Sequence, residues 1–172
     1  MKTLFVILLF VYTSFADAQS IYFGLRNEIN FISTKRSNAY EIAIHPASFY
    51  GVIGTNLFKE INFEMRAGYI WGINVDYAGP EIGFYVKPHI ITKTLYLLGG
   101  INFHINIPDN PDNISHTISL LGIGVGSNFY KAFVVELSFY QPLNKNYIFY
   151  SPVNDAPSLE SIVKFSLGFN IP

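Results

Sequence analysis

The fold is decided by the stretch Ile61-Asn62-Phe63-Glu64-Met65-Arg66-Ala67-Gly68-Tyr69-Ile70-Trp71. Its odd-numbered side chains are apolar or aromatic, whereas most of its even-numbered side chains are charged, polar or small. Side chains of a β-strand point alternately to the two faces of a sheet. The stretch therefore predicts a strand with one apolar face and one charged face.

The same alternation recurs along the chain and predicts eight strands. They cover residues 21–32, 39–57, 61–71, 80–90, 94–107, 115–129, 132–140 and 160–171. Most are about as long as a transmembrane strand, which needs roughly 9–11 residues, and longer than the average soluble strand of about 5–6. Longer polar connections, the first at 33–38, alternate with short turns. Pro46 indicates an edge or a β-bulge, because proline cannot donate to a strand ladder.

Composition excludes several classes of function. Only 13% of the residues are charged, against about 25% in a typical soluble domain. The net charge of −1 provides no basic field for nucleic acid. Without cysteine the chain can form neither a disulfide nor a thiolate metal site. Its four histidines are scattered and predict no metal. We interpret Gly122, Gly124 and Gly126 as small inner-face residues that make room for larger neighbours, and we expect no cofactor.

The N-terminus has the features of a secretory signal peptide. Lys2 precedes an apolar run over 4–15, and Ala16-Asp17-Ala18 fits the small-x-small cleavage pattern. As a helix the run would span roughly 18 Å, which is short of the ~30 Å hydrocarbon core of a membrane. We therefore predict a signal peptide at 1–18 and a single β-barrel domain at 19–172.

Two architectures fit eight alternating strands, and they place opposite faces inside. A soluble lipocalin-like barrel would turn the apolar face inward, whereas a membrane barrel turns it outward. The polar face carries only about one charge per strand, which is sparse for a surface in water. The lumen of an eight-stranded barrel is just filled by side chains, and the bulky apolar set would crowd it. The sequence predicts an all-β, eight-stranded antiparallel up-and-down transmembrane β-barrel.

The charged side chains of the polar face then lie in the lumen. Buried charges must be paired, so we predict a salt-bridge network that plugs the barrel. Its members are Arg26, Glu28, Glu41, Glu64, Arg66, Glu81, Lys87, His104, Glu136 and Lys164. Near the strand ends, Tyr69, Trp71, Phe129 and Tyr130 suit the aromatic girdles at the membrane interfaces.

The signal peptide and the eight alternating strands resemble the small outer-membrane β-barrels of Gram-negative bacteria, of the OmpX, OmpW, opacity-protein and OmpA-membrane-domain types. The resemblance covers the whole mature chain but rests on architecture. The final strand alternates through Phe165, Leu167, Phe169 and Ile171 as the family's does, whereas Pro172 departs from its aromatic end. The resemblance implies the cell outer membrane, with short turns in the periplasm. It also implies contact with membrane lipid, lipopolysaccharide and the barrel-assembly machinery.

The predicted function is non-enzymatic: a structural role in the envelope, or contacts made by the loops of a monomer. Tyr147, Phe149 and Tyr150 are the candidate loop contacts. A narrow channel for small solutes is one alternative. A lipid A-modifying enzyme is another, and barrels of that kind use a His-Ser pair on the lipid-facing wall. In this chain His45 with Ser48, and Ser115 with His116, are poor substitutes for such a pair.

Overall fold

The computed structural model describes residues 21–36, 39–58, 60–71, 77–90, 94–107, 116–130, 132–144 and 158–171. The predicted signal peptide lies outside these residues. Eight strands run as β1 (Ile21–Arg36), β2 (Ala39–Phe58), β3 (Ile61–Ile70), β4 (Gly79–Pro88), β5 (Leu95–Asn106), β6 (His116–Phe129), β7 (Phe133–Pro142) and β8 (Ser158–Ile171). No helix among the described residues is long and apolar enough to cross a membrane.

Each strand pairs antiparallel with the next along the chain, and β8 pairs with β1 to close the barrel. The predicted eight-stranded antiparallel up-and-down barrel is therefore confirmed. The connections at 59–60, 89–94 and 130–132 lie at one end with residues 21 and 171, and we call this the turn end. The connections at 37–38, 71–78, 107–115 and 143–157 lie at the other end, which we call the loop end.

The two faces of the wall have opposite chemistry, with the apolar face outside. Phe23 is 58% exposed and Ile123 is 66% exposed, whereas Arg66 is only 1% exposed. Large apolar side chains of this kind form a belt on all eight strands. A water-soluble barrel would carry them inside. The distribution matches a barrel surrounded by lipid, in which closure also satisfies every strand edge.

Pro46 lies at a β-bulge in β2, as predicted. Glu28 pairs with Ser48 and Asn30 pairs with His45, so β2 has one more residue than β1 over this interval. A bulge of this kind shifts the alternation by one residue. Ile44 and Phe49 therefore both point outward although one number is even and the other odd.

The predicted loop at 33–38 is wrong. β1 continues to Arg36 and β2 begins at Ala39, so only 37–38 connects them. Thr34 and Lys35 pair with β2 on one side and with β8 on the other, and these ladders hold the polar segment in the sheet. The polar residues at 33–36 therefore belong to the loop-end portion of β1 and do not mark the end of the strand.

Candidate functional site

The candidate site is a group of eight charged side chains inside the barrel, which we call the charge layer. Each of these side chains is at most 3% exposed. Four are acidic and four are basic. The members are Arg26, Glu28, Glu64, Arg66, Glu81, Lys87, Glu136 and Lys164. They come from five different strands, so the layer exists only because the sheet closes.

Four members form a ring of alternating charge. Arg66 lies 2.6 Å from Glu64 and 2.6 Å from Glu136, measured between nitrogen and oxygen. Lys87 approaches the same two carboxylates at 2.6 and 2.7 Å. Each charge in the ring therefore has two partners of opposite sign. Short charge-assisted contacts of this kind are about twice as strong as neutral hydrogen bonds.

The remaining members extend the ring toward both ends of the lumen. Arg26 lies 3.2 Å from Glu64 and donates to Asn170 at 2.8 Å. Arg66 also reaches Glu28 at 3.2 Å. Beyond it, Lys164 lies 3.4 Å from Glu28 and contacts Glu81. The eight charges are thus connected through unbroken ion pairs.

Tyrosine hydroxyls provide further hydrogen bonds to the carboxylates. Tyr96 donates to Glu136 at 2.6 Å and Tyr22 donates to Glu64 at 3.0 Å. Tyr50 donates to Glu81 at 3.1 Å. A buried charge is costly unless paired and hydrogen-bonded. These donors lower that cost and fix the carboxylate positions.

Inner-face glycines make room for these tyrosine rings, as predicted for β6. A Cβ atom on Gly126 would lie 2.4 Å from the ring of Tyr96. One on Gly122 would lie 2.2 Å from the ring of Tyr140. Gly122 and Gly126 are therefore packing partners of aromatic side chains, whereas a Cβ on Gly124 would meet Ser138 and the backbone of Leu137. All three glycines lie within a strand and have no part in a nucleotide loop.

An apolar group fills the lumen at the loop end, and we call it the apolar layer. Its side chains are at most 2% exposed. They are Ile32, Ile70, Tyr77, Ile118, Leu120, Leu159 and Ile162. Each lies on or next to the loop-end portion of its strand. His45 and His104 are also buried here, and the ring of Tyr77 stacks on His104 with centroids 4.0 Å apart.

The structure separates Glu41 from the other predicted network residues. Its side chain is exposed, so its assignment to the lumen network is corrected. β2 pairs with β3 only from Ser48 onward, and Glu41 therefore lies on the part of β2 that extends past the end of β3. His104 is buried at the edge of the network, with Nδ1 4.0 Å from Glu81.

The predicted girdle residues lie at both ends of the outer wall. At the loop end, the ring centroid of Trp71 is 4.9 Å from that of Tyr69 and 5.7 Å from that of Phe49. At the turn end, Phe129 is half-exposed at the end of β6, and Tyr130 projects fully from the turn. The candidate loop contacts Tyr147, Phe149 and Tyr150 lie outside the described residues.

Sequence reasoning missed two parts of the lumen. The tyrosines at 22, 50, 85, 96 and 140 fall on the polar face by parity, and that alone could have placed them beside the charges. The apolar layer gave a weaker signal. Ile32 and Ile162 are apolar residues at positions where the alternation predicts polar ones, and the sequence alone does not distinguish them from chance exceptions. Among the described residues, no cluster of three or more acidic or histidine side chains could hold a metal ion.

No protein-family model and no curated protein matches this sequence. Solved structures do resemble it. The N-terminal β-barrel domain of OprF from Pseudomonas aeruginosa is 16% identical over 85% of this chain and 97% of that one, with a TM-score of 0.49. Ail, the attachment invasion locus protein of Yersinia pestis, is 14% identical over 87% and 98%, with a TM-score of 0.46.

A third similar structure is the outer membrane protein OprG from Pseudomonas aeruginosa. It is 8% identical over 90% of this chain and 97% of that one, with a TM-score of 0.47. Identities this low concern the fold alone. The strand pairing of this chain already establishes a closed eight-stranded meander with an apolar outside. Its fold is therefore a closed, eight-stranded antiparallel up-and-down β-barrel with an apolar outer face.

Proposed function

We propose that this protein is a non-enzymatic barrel of the outer membrane whose lumen is plugged. The observation that carries the proposal is the unbroken, charge-balanced layer of ion pairs across the lumen, with side chains at most 3% exposed. A layer without exposed charge offers no aqueous path for ions. The protein then acts through the envelope itself or through its loops.

The apolar layer supports the same proposal independently. Water enters a narrow lumen easily only where polar groups line it, and hydrophobic constrictions exclude water. Ile70, Leu120 and Ile162 are all fully buried at the loop end. A solute would therefore have to cross an apolar barrier before it reached the charges.

Cysteine accessibility tests the plug, because the natural chain has no cysteine. Ser166 is 1% exposed and pairs with Glu28 and Glu136, so Ser166→Cys places a thiol within the charge layer. We expect this thiol to resist a charged, membrane-impermeant maleimide in reconstituted vesicles. Glu41→Cys is the matched control on the exposed part of β2 and should react. Equal reactivity of the two thiols would contradict a plugged lumen.

Conductance distinguishes the plug from the narrow channel. We expect no discrete current steps when the protein is added to a planar bilayer. Steady single-channel steps would favour the channel, and they would also require a water path past the charge layer. The same preparation must first show a heat-dependent shift between unboiled and boiled samples on a gel, because that shift reports a folded barrel.

The position of His45 and Ser48 supports a non-enzymatic function. Both side chains are fully buried in the lumen, and Ser48 accepts a hydrogen bond from Asn30 at 2.6 Å. An enzyme that acts on lipid acyl chains needs its reactive pair on the lipid-facing wall. Unchanged lipid A masses after expression are the expected result, and a change in acylation would contradict the proposal.

The partners follow from the same placement. The apolar belt requires lipid around it, and an outer-membrane position adds lipopolysaccharide and the barrel-assembly machinery as partners. Closed strand pairing is consistent with a monomer. Cell fractionation tests the location: we expect the protein in the outer-membrane fraction, and recovery in the soluble periplasm would overturn the proposal.

A further inference from the structure

The apolar belt has a gap on β5. The outward positions of this strand carry Leu95, Leu97, Gly99, Ile101, Phe103 and Ile105. Only Gly99 lacks a side chain in this series. Its cross-strand neighbours on the same face are Val86 and Ile123, both large enough to form walls around the gap.

The gap opens into a groove on the outer wall. Two adjoining concavities of about 810 and 470 Å³ share Val86 and Gly99. Apolar side chains line both, among them Leu97, Ile101 and Leu121. The groove has no charged side chain in its lining. Its natural occupant is therefore hydrocarbon.

Neither packing nor backbone conformation explains glycine at this position. A Cβ on Gly99 would meet no atom within 4 Å, whereas one on the adjacent Gly100 would lie 2.4 Å from the ring of Tyr85. Positive φ angles among the described glycines occur at Gly79 and not at Gly99. Larger side chains fit here, so the open space requires another explanation.

We propose that this groove binds one acyl chain of a phospholipid. The groove is continuous with the lipid-facing belt, and a missing side chain leaves room for an unbranched chain against the wall. Leu97 and Val86 lie close to the turn-end limits of β5 and β4. The resemblance to small outer-membrane barrels implies that the short turns face the periplasm, and in that orientation the acyl chain comes from the inner leaflet. This inference rests on the proposed membrane function.

Gly99→Leu tests the inference by filling the gap. The matched control is Gly51→Leu, since Gly51 is the other outward glycine among the described residues and adjoins a smaller concavity of about 290 Å³. Each protein is reconstituted with phosphatidylethanolamine, extracted in mild detergent and examined by native mass spectrometry. We expect wild type and Gly51→Leu to retain one phospholipid. In Gly99→Leu the fraction of protein that carries a phospholipid should be about tenfold lower. Gly99→Ala should lose less.

Equal retention by Gly99→Leu and wild type would overturn the inference, as would equal losses in both leucine variants or no retained lipid in wild type. A heat-dependent gel shift is checked for every variant. Failure of wild type to show that shift or to sediment with membranes would contradict the proposed function. A barrel that inserts normally but retains no lipid contradicts only the acyl-chain site. Gly99→Ala adds a single methyl group in open space and provides the test if the leucine variant does not fold.

Discussion

The two layers of the lumen exclude water by opposite means. The charge layer neutralises four acids with four bases, and each depends on partners from other strands. The apolar layer has few specific partners and excludes water by volume. Removing one partner from a buried ion pair leaves a charge without compensation, whereas shortening an apolar side chain leaves a cavity. The two layers should therefore differ in how they respond to single substitutions.

Glu64→Gln should have the largest effect, because Glu64 contacts Arg26, Arg66 and Lys87. The amide keeps the shape but leaves three cations with one fewer anion. We expect a loss of about 3–5 kcal/mol in the free energy of unfolding, measured by urea titration of the barrel in lipid vesicles. Glu41→Gln is the control and should change stability by less than about 0.5 kcal/mol. Similar losses in both variants would show that the ion pairs contribute little.

Ile162→Ala should have a somewhat smaller effect in the apolar layer. Ile162 is fully buried, and its truncation should cost about 2–4 kcal/mol through lost contacts and a cavity. The control is Val163→Ala on the outward face next to it, where lipid chains can replace the missing methyl groups. We expect that variant to lose roughly 1 kcal/mol or less. Equal losses at 162 and 163 would argue against a packed apolar layer.

The sequence was sufficient to assign the charges to the lumen. In a strand with a lipid-facing side, a charge has only the other side available, and parity alone placed Arg66 and Lys164 there. Parity cannot say which acid meets which base. The contact between Arg66 and Glu136 joins β3 to β7 across the lumen, and only closure of the barrel brings them together.

Two features of the lumen could not be predicted from the alternation of polar and apolar residues, and each has a physical reason. Glu41 follows the inner-face parity of β2, but β2 extends beyond the end of β3, so parity does not imply burial there. The apolar layer places Ile32 and Ile162 on the face that elsewhere carries charge. Alternation of polar and apolar residues shows which side chains face lipid and which face the lumen only where the lumen is polar. Where both faces of the wall are apolar, the pattern no longer indicates the direction of a side chain.

A matched pair of glycine substitutions in β6 compares a tyrosine that donates to a charged group with one that donates to a neutral group. Gly126→Ala crowds Tyr96, which donates to the charged Glu136, whereas Gly122→Ala crowds Tyr140, which donates to the neutral hydroxyl of Tyr85 at 3.2 Å. Overpacking should destabilise each variant by about 1–3 kcal/mol. Hydrogen bonds to charged groups contribute more than neutral ones, so we expect Gly126→Ala to lose about 1 kcal/mol more. Thermal unfolding of both variants tests this order, and the reverse order would contradict it.

The smallest expected effect is a pH dependence of the barrel's stability that arises from His89 at the turn end. His89 follows β4, and its ring centroid lies 5.4 Å from that of Tyr96. Burial lowers the pKa of His89 below its ordinary value; the nearby charge of Lys87 acts in the same direction, and the backbone of Glu60 partly opposes both. Below a pH of about 6.5 the unfolded chain therefore binds more protons at this residue than the barrel does.

Stability linked to His89 is accordingly present above that pH and is lost as the pH falls. We expect His89→Gln to narrow the difference in urea midpoint between pH 7.5 and pH 5.5. Glu41→Gln, at the exposed loop end, serves as the control and should leave that difference as it is in wild type. An unchanged difference in His89→Gln would place the acid sensitivity elsewhere in the barrel, with the buried carboxylates of the charge layer as the next groups to test.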